Sequence, residues 1–454
     1  MEKVLVISYH FPPSGGSKTR RLLKFLKYLP QFRWTPIVLT TSGGTGFGFD
    51  PSLLKVVPRE VRVHRAFDLS SLLKRILPSS DRERFSRANP GTRNSNRLKK
   101  LAVWLCRQAL SWTKKWTAIP DVFMLVWAPF AVSTGFRAIA REKADLIYST
   151  APPFSNHIVG VCLKKITKKP LIVDFRDAWT ANPVRRRKYP TARHPIELLL
   201  EKIVIRNADL VVSTTDGMTQ DFRRRYGLEP AEKFVTLPNG YDREEFSIPD
   251  KAERNKCHKM RIVHTGHLRL ERSPKPLLIA LRRLFDEQPN LVDDLEVYLI
   301  GENQPFLDGK NIADYLNELG LESVVKLISH VPQPEAIRYQ MSADILLLVI
   351  GVVPPEEIST YGVASKVFDY MLAGRPVLTL ADPGPVSELV ERTQIGPAFA
   401  PSDIEGIKQY LSDAVKAFRR GRLEVKSNKE EIDRYDFRQL TGQLAEKFDA
   451  LLRS

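Results

Sequence analysis

Cysteine is scarce in this 454-residue sequence, and its spacing excludes two common uses of the residue. The three cysteines, Cys106, Cys162 and Cys257, lie far apart and are odd in number. They form no CxxC pair, which excludes a zinc ribbon and argues against a disulfide framework. Long apolar runs are also missing, since no stretch reaches the roughly 18 residues needed to span a bilayer. The first residues show no cleavable leader pattern, so we expect a cytoplasmic protein.

Acidic residues are outnumbered, with 52 Asp and Glu against 70 Lys and Arg, and the formal net charge is +18. Between positions 82 and 115, ten basic residues accompany a single acid, Glu83. Apolar residues at 97–116 recur every three or four positions. This predicts a basic amphipathic helix that brings the protein to an anionic membrane, at the inner face of the plasma membrane. The alternative is that the apolar stripe packs on its own domain. We expect no nucleic-acid partner, because no recognition motif accompanies the charge.

Short apolar runs rich in valine, isoleucine and leucine recur along the chain, each followed by a stretch with helical spacing. Because these runs do not alternate with polar residues, they predict strands buried on both faces, as in parallel sheets covered by helices. This alternation of predicted strands and helices starts again after a polar stretch at 248–259, which predicts an interdomain linker. The expected fold class is α/β with two Rossmann-like domains that face each other. The clearest predicted strands are at 4–9, 36–40, 145–150, 170–175, 209–214, 261–266, 296–301, 324–329, 344–350 and 376–380.

The opening stretch, KVLVISYHFPPSGGSKTRR, predicts a strand that ends near Tyr9 and a helix that begins near Ser17. Gly15 and Gly16 lie between them and have no Cβ, so their amides can approach an anion at the helix N-terminus. The pattern is not GxGxxG, and no acidic residue ends the next strand, which argues against a dinucleotide site. By itself this stretch leaves a simple turn and a phosphate loop as equal alternatives.

Two stretches of the first half place polar residues where predicted strands end. Pro153 and His157 follow one strand, and Asp174, Arg176 and Asp177 lie at the end of the next. Ligands of open α/β sheets bind at this carboxyl edge. Carboxylates and a guanidinium there can hydrogen-bond sugar hydroxyls or neutralise a phosphate. The alternatives are a loop stiffened by proline, a packing histidine and a local Arg–Asp pair.

In the second half, the stretch RIVHTGHLRLERSP repeats the opening arrangement. A predicted strand ends at Gly266. Three basic residues, His267, Arg269 and Arg272, then come just before a predicted helix. Basic side chains beside the amides of a helix start are suited to a diphosphate. The alternative is an accidental pair of arginines in a basic chain.

The stretch STYGVASKVFDYMLAGRPVLTL is the most specific one in the sequence. It predicts a helix with Lys366 and Asp369 on one face, ended by Gly374. An ordinary surface pair of opposite charges is the alternative explanation.

Together these motifs resemble family 4 retaining glycosyltransferases of the GT-B fold. The C-terminal signature is carried by SKVFDYMLAGRPVL and ELVERTQIG. The first half of the chain resembles the N-terminal domain of bacterial members that build surface polysaccharides, in the stretches PDVFMLVWAPFA, STAPPFS, DFRDAWTANP, RNADLVVSTTDGM and LPNGYD. The resemblance implies two Rossmann-like domains whose parallel sheets face a central cleft, with a nucleotide-diphosphate sugar held mainly on the second domain. We expect an N-terminal acceptor-side domain at 1–247, a nucleotide-sugar-binding domain at 260–428, and a C-terminal helix at 429–454 that packs back on the first domain.

The resemblance also implies that neither a metal nor a cofactor is needed, since the nucleotide-diphosphate sugar is a co-substrate. The sequence contains no DxD-type site and no His/Cys cluster. It departs from the family at the usual Glu-x7-Glu pair, whose positions hold Tyr361 and Asp369. The Gly-Arg and lysine that grip the phosphates are replaced by Gly266 and His267, with arginines downstream. The histidine that many members carry after the strand ending at Phe175 is replaced by arginine or aspartate.

We therefore predict a glycosyltransferase that transfers a sugar, with retention, to a saccharide or lipid-linked acceptor in surface polysaccharide or glycoconjugate biosynthesis. The alternatives are a GT-B nucleotide-sugar epimerase and a non-catalytic nucleotide-sugar-binding or scaffold protein. Gly15 and Gly16 would contact the donor from the first domain's side of a closing cleft. The predicted catalytic residues are Arg176, Asp177 and Lys366; the donor-binding residues are Gly15, Gly16, Gly266, His267, Arg269, Arg272, Ser365, Lys366 and Asp369; and the acceptor-side residues are Pro153, His157 and Asp174.

Overall fold

The computed structural model describes residues 1–13, 19–42, 51–69, 121, 123–182, 193–246, 259–270, 272–306, 308–350 and 362–453. The chain divides into two compact units. The first comprises Met1–Pro238 and Thr441–Ser454, and the second comprises Asn239–Leu440. The division falls at the Pro-Asn-Gly turn, upstream of the limit at 247 that the sequence suggested. Most of the expected linker at 248–259 lies outside the described residues.

The first unit is built on a sheet of seven parallel strands. Its strands are β1 (Glu2–Ile7), β2 (Trp34–Thr41), β3 (Arg62–Ala66), β4 (Leu146–Ala151), β5 (Leu171–Phe175), β6 (Leu210–Ser213) and β7 (Phe234–Thr236). Their order in the sheet is β3-β2-β1-β4-β5-β6-β7. In the register, Leu5 lies opposite Ile37 on one side and Ile147 on the other. The central strands are buried on both faces because helices cover the sheet.

The helices of the first unit present apolar stripes to this sheet. In the first of them, Arg20–Tyr28, buried leucines recur at positions 22, 23 and 26. The last helix, Phe437–Arg453, contributes its residues from Thr441 onward, and Asp449 accepts a hydrogen bond of 2.8 Å from the Trp34 indole. The remaining helices are Phe123–Val126, Ala128–Glu142, Ser155–Thr167, His194–Asn207 and Asp216–Arg225, with short 3-10 turns at Leu29–Phe32, Pro51–Val56 and Ala231–Lys233.

The second unit contains a sheet of six parallel strands. These are β8 (Met260–Thr265), β10 (Leu295–Ile300), β12 (Val325–Ile328), β13 (Ile345–Val349), β14 (Val377–Leu380) and β15 (Ala398–Phe399), in the order β12-β10-β8-β13-β14-β15. A separate pair joins β9 (Leu268–Leu270) to β11 (Asn303–Phe306). The helices are Arg243–Phe246, Lys275–Glu287, Ile312–Leu319, Gln333–Ser342, Lys366–Ala373, Pro385–Thr393, Ile404–Arg419 and Lys429–Asp433, with a 3-10 turn at Pro289–Asp294.

The predicted α/β class with two parallel sheets is confirmed. In each sheet the strand order reverses once, between β1 and β4 in the first unit and between β8 and β13 in the second. Loops diverge at such a reversal and leave a crevice at the carboxyl ends of the two strands, where ligands of open α/β sheets bind. In the part of the chain that the structure describes, we find no helix long and apolar enough to cross a membrane.

Candidate functional site

The carboxyl end of β8 brings together two residues that are a hundred positions apart in the chain. Gly266 follows the strand with a φ of +123°, and Lys366 begins the helix Lys366–Ala373. A Cβ built on Gly266 would lie 1.9 Å from Nζ of Lys366. The amine therefore lies directly against the backbone of Gly266, in space that any side chain would fill. This contact lies at the reversal point between β8 and β13.

Gly266 provides space at this site, while its amide is already engaged. The N–H donates to the carbonyl of Ile300 over 2.6 Å. Its own carbonyl approaches Gly301, where a Cβ would be only 2.3 Å away and φ is +138°. Two glycines thus let the ends of β8 and β10 come together below the Lys366 amine.

His264 lies one residue inside β8 and is buried next to this amine. Burial, followed by the nearby Lys366 charge, lowers the pKa of His264 well below its usual range, so the imidazole is neutral. Nδ1 lies 2.9 Å from the carbonyl of Leu347 on β13, which can only accept, so Nδ1 carries the proton. Nε2 is then a free acceptor, and Nζ of Lys366 lies 3.5 Å from it.

A second set of buried polar groups braces the same strand end. The Thr265 N–H donates to the Tyr370 hydroxyl over 3.1 Å, and Gln340 donates to the Thr265 hydroxyl over 2.8 Å. Tyr370 belongs to the Lys366–Ala373 helix, so this bond ties the helix to β8. Gly374 ends the helix in the left-handed conformation that the sequence predicted, with a φ of +64°.

The electrostatic environment makes the Lys366 amine receptive to an anion. Burial is the main cause that lowers its pKa to about 7, and the Arg272 charge lowers it further while Asp369 opposes them. An anion that bound here would favour the ammonium form and raise this pKa again. The lysine, the arginine and the adjoining helix start therefore make this strand end suitable for a phosphate group.

The other donor-side residues lie around the same strand end. Asp369 is buried in the first turn of the Lys366–Ala373 helix, and Ser365 precedes that helix and is exposed. His267 is exposed, with Nδ1 lying 3.6 Å from a carboxylate oxygen of Glu302. The side chain of Arg269 and the whole of Tyr361 lie outside the described residues.

In the first unit, Asp174 lies inside the sheet and makes a buried ion pair. The Arg21 guanidinium donates to both of its carboxylate oxygens, over 3.3 and 3.2 Å, and the Thr150 hydroxyl adds a bond of 2.8 Å. Burial raises the pKa of Asp174, but the Arg21 charge and bonds outweigh it and leave that pKa below its usual value. Arg21 also binds the carbonyls of Leu237 and Pro238. Because Asp174 is fully enclosed, its position favours a structural role over the acceptor contact expected from the sequence.

Arg176 holds the turn at the end of β4. Its guanidinium donates to the carbonyls of Ala151 and Pro152, over 3.2 and 2.6 Å. Pro153, expected on the acceptor side, is buried in this turn, whereas Asp177 is exposed. Of the residues predicted here, Asp177 is the one whose side chain is exposed.

The loop that carries Arg176 and Asp177 is anchored by the buried carboxylate of Glu201. It accepts bonds from the backbone and hydroxyl of Thr180, over 3.0 and 2.9 Å. Arg225 and Tyr226 donate to the same carboxylate over 2.5 and 2.7 Å. These bonds fix the exit from β5 at the carboxyl edge of the sheet.

His157 and Asn156 lie side by side under the turn after β4. His157 is buried, and burial lowers its pKa to about 3, so it is a neutral group bonded to the Ser149 hydroxyl over 2.8 Å. Asn156 accepts from the Tyr9 N–H over 3.2 Å and donates to the Thr150 carbonyl over 2.6 Å. Asn156 therefore joins the ends of β1 and β4, the two strands at the reversal of the first sheet.

Several predicted features lie outside the described residues. These are Gly15 and Gly16 of the opening turn and the basic segment at 97–116. Within the residues that the structure describes, no group of three or more His, Cys, Asp or Glu side chains is placed to hold a metal ion.

Sequence reasoning missed His264, Arg21 and Asn156. For His264 and Arg21 the available signal was a polar residue at a position where the pattern predicts an apolar one. His264 interrupts the apolar strand RIVHTG, and Arg21 lies on the buried face of the first helix. Their partners come from distant segments, so the pattern marks such residues without assigning them a role.

The fold and these two strand-end clusters fit a known class of proteins. Residues 19–240 match the family model described as "Glycosyl transferase 4-like domain". The matched residues make up just under half of the chain and lie mostly in the first unit, and the two parallel sheets flanked by helices have the architecture of the GT-B fold.

Curated relatives and solved structures agree with this class. A D-inositol 3-phosphate glycosyltransferase of Kribbella flavida is 25% identical over 194 residues, which cover 41% of this chain and 44% of that protein. The chain thus matches less than half of that relative's length. Among solved structures, Anabaena HepE in complex with UDP has a TM-score of 0.62 at 16% identity and covers 99% of this chain and 100% of its own. Sucrose-phosphate synthase of Thermosynechococcus elongatus has a TM-score of 0.62 at 14% identity, with both chains covered completely. At these identities the structural likeness shows the fold.

Proposed function

We propose that the protein is a glycosyltransferase that takes its sugar from a nucleoside-diphosphate sugar. The observation that carries this proposal is the Lys366 amine, which lies against Gly266 at the carboxyl edge of β8 and within range of the Arg272 charge. UDP-sugars are the first donors to test, because HepE structures were determined with UDP and with UDP-glucose.

Stabilisation of the departing diphosphate is the main contribution that these residues make. When the bond between sugar and diphosphate breaks, negative charge grows on the phosphate oxygens. The Lys366 ammonium and the Arg272 guanidinium offset that charge, and the Asp369 carboxylate accepts hydrogen bonds from the ribose hydroxyls. No metal ion is assigned a part, so we expect transfer to persist when EDTA is present.

The acceptor in this proposal is a saccharide or a lipid-linked saccharide, bound by the first unit. Asp177 supplies the exposed carboxylate that orients the donor sugar or an acceptor hydroxyl, and Arg176 holds the turn beside it. We further propose that transfer proceeds with retention, in the synthesis of surface polysaccharides or glycoconjugates. The basic segment at 97–116 would bring the enzyme to an anionic membrane that contains lipid-linked acceptors.

Turnover with a panel of nucleotide sugars tests the proposal. Sugar transfer to an acceptor supports it, isomerisation of the donor alone indicates an epimerase, and binding without turnover indicates a nucleotide-sugar-binding protein. A thermal-shift screen against UDP, GDP, ADP, TDP and CMP selects the donor class beforehand. A nucleotide at about 100 times its dissociation constant adds roughly 2.7 kcal/mol to the free energy of unfolding. No shift with any of the five nucleotides would contradict the proposal.

A further inference from the structure

We propose that His264 is a positioning residue, which holds the Lys366 amine in place for the diphosphate by accepting a hydrogen bond from it. This inference rests on the proposed function for the identity of the anion. The contact between His264 and Lys366 itself is a property of the protein without ligand.

The orientation of the imidazole is set at both nitrogens. Nδ1 is bonded to the Leu347 carbonyl on β13, at 2.9 Å, so the ring cannot turn without losing that bond. Nε2 then points to Nζ of Lys366, at 3.5 Å. A neutral imidazole that donates through Nδ1 has a lone pair on Nε2, which can accept from an ammonium group.

The charges around Lys366 explain why such an acceptor is useful. Arg272 lies before the helix Lys275–Glu287 and repels the ammonium, while Asp369 on the same helix as Lys366 attracts it. His267 adjoins Gly266, and its charge also acts on His264. The neutral His264 supplies a hydrogen-bond acceptor on the β8 side without cancelling the positive charge that an anion requires.

An apolar residue at position 264 would fill the same space in the strand at a lower cost. A buried imidazole loses its water, and that loss is recovered only if both ring nitrogens find partners. Here one partner is the backbone of β13 and the other is the amine of the candidate site. The use of both nitrogens links His264 to the site as well as to the core.

The tautomer of His264 can be measured in the wild-type protein without any substitution. We expect long-range 1H–15N NMR of histidine-labelled protein to show His264 with a protonated Nδ1 and a bare Nε2 from pH 6 to 9. Assignment uses the missing signals of the His264→Gln variant. A protonated Nε2 would overturn the proposal, because that nitrogen could not accept from Lys366.

A second experiment follows the amine itself, with His264→Leu, His264→Gln and the wild type. The Lys366 titration is read from NMR of lysine labelled at Cε and Nζ, assigned with Lys366→Arg. In His264→Leu the ammonium loses its acceptor, so the midpoint should move to lower pH, whereas the Gln oxygen should restore it. Thr393→Val, which removes a buried hydroxyl bonded within its own helix, is the control for lost stability and should leave the midpoint unchanged. An equal midpoint in His264→Leu and the wild type would refute the role of His264.

Nucleotide binding then separates this inference from the proposed function. At pH 7.5 we expect His264→Leu to raise the dissociation constant of UDP about tenfold, the effect of losing a charge-assisted contact, with partial rescue by His264→Gln. If the wild type binds none of the five nucleotides while the two NMR results hold, the proposed function fails and the positioning of Lys366 stands. If UDP binds equally well to the wild type and His264→Leu, the inference fails and the proposed function stands.

Discussion

Nζ of Lys366 occupies the place that a side chain on Gly266 would take, only 1.9 Å from an ideal Cβ. One residue comes from the end of a strand and the other from the start of a helix a hundred positions later. Their contact makes the absence of a side chain at 266 a requirement of the candidate site.

Gly266→Ala should displace the Lys366 amine and weaken UDP binding by about tenfold or more, as expected when a charge-assisted contact is lost. The φ of +123° also strains any L-residue, at a cost of about 1–3 kcal/mol in the free energy of unfolding. Gly309→Ala is the matched control, because its φ is +80° but its Cβ would meet nothing within 4 Å. Isothermal titration calorimetry and urea denaturation measure the two effects. An equal loss of UDP affinity in both variants would show that backbone strain alone is responsible.

UDP binding should weaken as the pH rises above 7. The pKa of Lys366 is about 7 in the free protein, and only the ammonium form attracts the diphosphate. Above that pH, binding requires uptake of a proton, so the affinity falls by up to tenfold per pH unit until the pKa of the complex is reached. The phosphates of UDP are already ionised in this range.

Lys366→Arg is the matched variant for this pH dependence. Its guanidinium stays charged at every pH used, so UDP affinity between pH 7 and 9 should be nearly flat. Lys326→Arg, an exposed lysine of the same unit, should follow the wild type. Parallel pH profiles for Lys366→Arg and the wild type would contradict the assignment of the titrating group to Lys366.

Asp174→Asn should destabilise the first unit by about 3–5 kcal/mol at pH 7, because it removes the carboxylate charge that is paired with the buried Arg21 guanidinium. The folded pKa of Asp174 is lowered from the reference value of 3.8. Its contribution is therefore complete above pH 3.8 and is lost as the pH falls through the folded pKa. Denaturation curves should show the difference between the wild type and the variant shrinking below pH 4.

The control for Asp174→Asn is Asp286→Asn, which removes an exposed partner of Arg282 bonded at 2.6 Å. This change should stay within about 0.5 kcal/mol of the wild type at every pH. A similar small loss for Asp174→Asn would mean that the Arg21 pair contributes no more than a surface pair.

Asn156→Ala should destabilise the first unit by about 2–4 kcal/mol, since it removes two buried hydrogen bonds that join the ends of β1 and β4. Asn207→Ala removes an amide that donates to the Ile203 carbonyl within its own helix, and this change should cost less than about 1 kcal/mol. The midpoints of urea denaturation at constant m-value measure both changes. If the two losses were equal, the hydrogen bonds of Asn156 between β1 and β4 would stabilise the unit no more than a bond within one helix does.

Neutralising the basic residues at 97–115 should abolish binding to vesicles that contain anionic lipid. Each basic side chain near such a surface contributes about 1 kcal/mol, and this attraction is screened by salt. Co-sedimentation with anionic and with neutral vesicles measures the effect. A control variant that neutralises Lys310, Lys326 and Lys416 of the second unit should bind as the wild type does. Unchanged binding after neutralisation of 97–115 would refute the membrane prediction.

The strands that form the centre of each sheet could be predicted, while several edge strands could not. The run DILLLVI marks β13 because a strand covered on both faces must be apolar at consecutive positions. The edge strand β3 has the sequence RVHRA, in which both arginines are exposed and the part-buried histidine lies against Glu142, so the strand has no apolar run that would predict it. The strands β9, β11 and β15 have two to four residues and were missed for lack of length.

The amino-acid sequence by itself determined the parallel sheets, and it predicted Gly266, Lys366 and Asp369 as site residues, because apolar runs, glycine and basic helix starts are local patterns. Only the tertiary structure decided what Asp174, Arg176 and His264 contact, because their partners come from other segments. The sequence predicted Asp174 as an acceptor-side residue, and the structure shows that it is buried and paired with Arg21. In the sequence His264 is one residue of an apolar strand, and only the structure shows that its Nε2 lies 3.5 Å from the Lys366 amine. The role of a buried polar group depends on its hydrogen-bond partner. That partner is set by the packing of strands and helices that are far apart in the chain.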